Sequence, residues 1–132
     1  MASLRVLLVD DEEDIIKLIG IRVRSWGYDL VEAKNGKECI EAVKNKKADI
    51  VVLDFMLPDI DGVGVLKQIR KINKNIPVIM FTAHPSGQTM HDVEKLNITA
   101  FVAKLSICSD THELLKAAID IGAKKIKALN SK

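Results

Sequence analysis

Residues 51 to 62 read VVLDFMLPDIDG. Val51, Val52 and Leu53 form the unbroken apolar run of a strand covered on both faces, and Asp54 stands where that strand runs out. Phe55, Met56 and Leu57 follow, and a turn from Pro58 to Gly62 closes the segment. A carboxylate at that point is unfavourable inside a core and well placed for a site.

Four more short apolar runs are spaced through the chain: LRVLLV (4–9), YDLVEA (28–33), PVIMF (77–81) and TAFVA (99–103), with DIVVL (49–53) making five. Four of the five show little strict alternation, as expected of strands with helices on both sides. Between them the apolar residues recur at helical spacing. Ile15, Leu18, Ile19, Ile21, Val23 and Trp26 mark a first helix that starts acidic and stops at Gly27. Cys39, Ile40 and Val43 mark a second, and Val63, Val65, Leu66 and Ile69 a third. Leu114, Leu115, Ala118, Ile119, Gly122 and Ile126 mark the last, with Lys124, Lys125 and Lys127 at its C-terminal end, where they suit the helix dipole and solvent. The fourth helix, in PSGQTMHDVEKLN, offers only Met90, Val93 and Leu96 as anchors and contains Gly87, so it is expected to be the least stable element and the one that moves.

Strand and helix thus alternate five times, which predicts an α/β fold, a doubly wound five-stranded parallel sheet. The order 2-1-3-4-5, flavodoxin-like, is the natural choice at this size and opens a crevice at the carboxyl ends of strands one and three. A chain of 132 residues, 48% hydrophobic and 29% charged, fits a single domain over residues 1–132. Its 20 basic and 18 acidic residues leave a net charge of +2, which gives no strong case for direct nucleic acid or membrane binding. The start MASLRVLLVDD has too short an apolar run for a secretory signal, and no segment approaches a membrane span, so a cytoplasmic location is expected. Cys39 and Cys108 lack a CxxC or CxxH neighbour and read as buried or half-buried thiols of a reduced compartment.

The predicted topology brings Asp10 and Asp11, at the end of the first strand, toward Asp54 at the end of the third. Three converging carboxylates repel one another unless a cation neutralises them, and hard oxygen donors suit Mg²⁺. Glu12, Glu13 and Asp14 fit the plainer role of favouring the positive end of a helix. Thr82 closes the fourth strand and Lys104 the fifth, on the same rim. A hydroxyl donor, an ammonium, a metal and a nucleophilic carboxylate together are the set that holds a phosphoryl group.

With LLVDDE, LDFMLPDIDG, the TA pair and a well-spaced lysine, the chain closely resembles the receiver domain of two-component response regulators, from Leu4 to about Leu129. The resemblance implies that Asp54 accepts a phosphoryl group from a sensor histidine kinase or a histidine phosphotransfer protein. It implies Mg²⁺ on Asp10, Asp11, Asp54 and the backbone carbonyl of Met56, with Thr82 and Lys104 on the phosphoryl group and Phe101 as an aromatic switch that turns inward. It also implies an output protein or domain, reached through the fourth helix, fifth strand and fifth helix, and it is compatible with a homodimer through that surface.

Leu105 follows Lys104 where the family usually has a proline in a cis bond, which predicts a trans bond and an altered loop LSICSD. Asn97 replaces a common glycine and can take the same left-handed geometry. His84 either tunes the lifetime of the phosphoryl group or simply faces solvent; His91 and His112 suggest no ligand set.

Other readings compete. A haloacid-dehalogenase-like phosphatase needs a second Asp two residues after the nucleophile, where this chain has Met56. A binding-only receiver has Leu105 in its favour and the complete acid set, Thr82 and Lys104 against it. A flavin domain needs a phosphate-cradling loop where DDEED stands. After ALNSK no output domain follows, which fits a stand-alone receiver or one cut from a longer regulator or hybrid kinase.

Overall fold

The computed structural model describes residues 3–83, 87–104 and 109–130. Strands β1 (Arg5–Val9), β2 (Asp29–Ala33), β3 (Ile50–Leu53), β4 (Val78–Thr82) and β5 (Ala100–Ala103) alternate with helices α1 (Glu13–Ser25), α2 (Gly36–Lys44), α3 (Gly62–Ile72), α4 (Gly87–Glu94) and α5 (Ser109–Asn130). Every strand pair is parallel, and the sheet order is β2-β1-β3-β4-β5, as expected.

Side chains along a strand alternate between faces, so a continuous apolar strand feeds two cores. Leu7, Val9, Val51, Leu53, Val78 and Met80 pack with Val43 of α2 and Val65, Leu66 and Ile69 of α3. Val6, Leu8, Val52, Ile79 and Phe81 pack with Ile16, Ile19 and Val23 of α1 and Leu115, Ala118 and Ile119 of α5. β1, β3 and β4 are therefore buried on both sides, and a polar residue can stand only at their ends.

Gly27 takes φ +94° just after α1 and Asn97 φ 59° after α4, two left-handed positions that fall where the sequence put them, while Lys46, φ 57° after α2, is a third that it did not mark. Gly20 lets Leu30 pack close to α1: a Cβ there would meet Leu30 Cδ2 at 2.7 Å and push that side-chain end aside. Three apolar residues assigned to helix faces turn outward instead: Ile21 is 64% exposed, Leu114 59% and Met90 42%. In α1, Ile16 is buried beside Ile19 and Val23, a position the apolar spacing did not mark. α4 keeps Val93 as its buried anchor, with Leu96 beyond its end packed against the core.

The N-terminus of α2 is held from two directions. Asn35 accepts a hydrogen bond from the Glu38 amide at 2.8 Å, while Asp59, in the loop between β3 and α3, accepts from the amides of Gly36 and Lys37 at 2.8 and 3.0 Å. Three amides that a helix start leaves without partners are satisfied in this way. The second helix is thus tied to the loop that begins at Asp54.

Candidate functional site

The amide of Asp54 donates to the carbonyl of Val9 at 3.0 Å, and the amide of Asp10 donates to that of Ala33 at 3.1 Å. These bonds continue the ladder one step past the strands and set Asp10 and Asp54 side by side at the carboxyl edge. Both are buried, Asp10 at 1% exposure and Asp54 at 7%.

Lys104 reaches them from the end of β5. Its amide donates to the Thr82 carbonyl at 2.7 Å, which fixes the start of its side chain. The ammonium lies 2.5 Å from Asp10 Oδ2 and 3.3 Å from Asp54 Oδ2, with 5.3 Å to the centre of the Phe81 ring. One cation therefore bridges two buried carboxylates. Burial raises the pKa of Asp54, and Asp10 nearby adds to the rise, while Lys104 opposes it.

The remaining oxygens of the cluster are held by backbone. Asp10 Oδ1 accepts from the Glu12 amide at 3.0 Å, and Asp54 Oδ1 accepts from the Met56 amide at 3.4 Å. The loop after Asp54 returns on itself through Gly62, whose amide donates to the Phe55 carbonyl at 2.7 Å. A Cβ at Gly62 would lie 2.8 Å from Phe55 Cα, so this approach needs glycine. Asp61 then accepts from the Gly64 amide at 2.7 Å and caps α3.

Among the described residues, Asp10, Asp11 and Glu12 bring carboxylate oxygens within 4.8 Å of one another. Hard oxygen donors with Asp11 and Glu12 open to solvent suit a hard divalent cation. The sequence named Asp54 in this set and gave Glu12 a helix-capping role. Glu12 occupies the N-cap position of α1 but makes no side-chain cap bond, and its carboxylate joins the acid group.

Thr82 is buried at the end of β4, in register with Ala103. Phe101 is half-buried against the core shared with α2 and α3. Met56 is 61% exposed. Cys39 is buried, its thiol pushed up to about 12, which makes it inert. His84, Cys108, the Lys104–Leu105 bond and most of the altered loop lie outside the described residues. His112, given no role by the sequence, is buried with its Nε2 unpartnered among the described residues.

Residues 6–123 match the family model of the response regulator receiver domain. The chain belongs to that family. Such domains are signalling phosphoacceptors, and this receiver has their five-stranded fold. It is 40% identical over 79 residues to the alkaline phosphatase synthesis transcriptional regulatory protein PhoP of Bacillus subtilis, a match that covers 60% of this chain and 33% of that regulator. The receiver thus spans about a third of that relative's length. The signal receiver domain of a putative LuxO repressor from Vibrio parahaemolyticus superposes with a TM-score of 0.87 at 26% identity, covering 98% of this chain and 96% of that one. The receiver domain of the sensor histidine kinase PA1611 from Pseudomonas aeruginosa shares the fold, with a TM-score of 0.78 at 22% identity and coverage of 92% and 99%. That structure has a magnesium ion coordinated in its active-site cleft.

Proposed function

We propose that residues 1–132 act as one phosphoacceptor receiver domain and that Asp54 is the acceptor. The observation that carries this reading is the Lys104 ammonium bridging the buried carboxylates of Asp10 and Asp54. An Asp54 oxygen attacks phosphorus, the phosphorus–nitrogen bond of a phosphohistidine on a kinase or phosphotransfer protein breaks, and an aspartyl phosphate forms. Lys104 then leaves its carboxylate partner for the new phosphoryl oxygens, and Thr82 at the adjoining strand end donates to them. The acid group of Asp10, Asp11 and Glu12, beside Asp54 and the Met56 carbonyl, would hold Mg²⁺, which when bound supplies charge neutralisation for the transferring phosphoryl group. The same groups would assist hydrolysis of the aspartyl phosphate. Phe101, already half-buried, would turn further inward and pass the change to an output partner or domain.

Intact mass after incubation with acetyl phosphate tests this. A gain of one phosphoryl group that needs Mg²⁺ and is absent from Asp54→Asn is the expected result. No gain under any condition, with short-lived adducts captured by rapid quenching, or a gain that persists in Asp54→Asn, overturns the assignment.

A further inference from the structure

A cavity of about 160 Å³ lies between α1, the end of β4 and the first turn of α5, on the side of Lys104 away from the α3 core. Ile15, Leu18 and Ile19 of α1 and Phe81 of β4 make its wall largely apolar. His112 of α5 completes it; this side chain is 7% exposed, and its Nε2 has no hydrogen-bond partner among the described residues. A buried polar atom left without a partner is costly, and a native chain retains one where water or a ligand satisfies it or where a function needs it.

We propose that this cavity is a binding site for a small aromatic alcohol, whose ring fills the apolar space and whose hydroxyl pairs with His112 Nε2. The size fits, since an apolar cavity of roughly 150 Å³ accepts a benzene ring. The hydroxyl fits too, because it can donate to a bare imidazole nitrogen or accept from a protonated one and so serves either neutral tautomer. Burial, with Arg22 nearby, favours that neutral imidazole. A charged ligand fits poorly, because the two charged groups on the wall oppose each other in sign: Lys104, which already faces Asp10 and Asp54, and Glu12, whose carboxylate belongs to the acid group. Lys104 borders both spaces, so the ring would rest beside the residue that bridges the two carboxylates.

Phenol and benzene are the probes, titrated into the ¹⁵N-labelled protein and followed by amide chemical shifts at Leu18, Ile19, Phe81 and Thr111. Saturable shifts are expected with both, with phenol binding about tenfold more tightly, the worth of one buried hydrogen bond. His112→Leu should erase that preference. Leu18→Phe, which fills the space from α1 and leaves His112 in place, should abolish binding of both. Absence of saturable shifts with phenol, or equal affinities that His112→Leu leaves unchanged, overturns the proposal.

Discussion

Lys104→Met removes one charge and keeps most of the apolar stem, and its cost can be worked from two distances. At an effective dielectric constant of about 20, unit charges 2.5 and 3.3 Å apart attract by ~6.6 and ~5.0 kcal/mol. Burying an ammonium that is only 12% exposed offsets several kcal/mol of that sum, and the freed carboxylates relax toward water. The net loss expected for breaking such a buried set from one side is about 3–5 kcal/mol. For a domain of this size that lowers Tm by about 11–18 °C. The assay is thermal unfolding in EDTA at pH 7.5, repeated with MgCl₂. Mg²⁺ replaces the missing positive charge, and at a hundred times its Kd it returns about 2.7 kcal/mol. Asp54→Asn in the Lys104→Met background should recover part of the loss, because one of the two stranded charges is gone. A Lys104→Met protein that melts within about 2 °C of the wild type in EDTA, or a double variant no more stable than the single, would refute the claim that this ammonium neutralises the pair.

Other outcomes follow from the same geometry. Burial raises the Asp54 pKa, so ionised Asp54 opposes folding: the stability tied to its protonated form is present below the unfolded value of about 3.9 and lost as pH rises through the folded pKa. Metal-free Asp54→Asn should therefore match the wild type in acid and melt higher above that range, and a lower Tm at pH 7.5 would contradict it. Gly62→Ala sets a Cβ 2.8 Å from the Phe55 backbone, and about 1–3 kcal/mol of destabilisation with slower labelling by acetyl phosphate is expected in denaturant titrations and intact mass. His112 titrates with the opposite sign to Asp54: burial lowers its pKa, so the stability of its neutral form is present above about pH 6.5 and lost as pH falls through the folded value. Wild-type protein should lose stability relative to His112→Leu as pH drops from 7.5 to 5, and parallel pH profiles would argue against a buried imidazole. Amide hydrogen exchange should be fastest in α4, whose one buried residue with a described side chain is Val93; protection equal to that of α3 would contradict this.

The apolar runs determined most of the architecture by themselves. A parallel strand covered on both faces has to be apolar throughout, so Val6 to Val9, Ile50 to Leu53 and Val78 to Phe81 announced their burial, and the acids and the threonine just beyond them announced the rim. Gly27 and Asn97 were legible for a local reason, because few residues accept the backbone angles they adopt. Helix faces were less legible. Helical spacing indicates an apolar stripe without locating its edges, and only contact with the sheet decided that Ile16 turns inward while Ile21, Leu114 and Met90 turn out.

Within the site, the residue types came from the sequence and the partnerships from tertiary structure. That Lys104 spans Asp10 and Asp54, that Glu12 joins the acid group, and that Asp59 holds the start of α2 from 22 and 23 residues away depend on which strand ends become neighbours. Hydrogen bonds and ion pairs act over a few ångströms, and no local pattern records how folding closes the sequence separation between their partners.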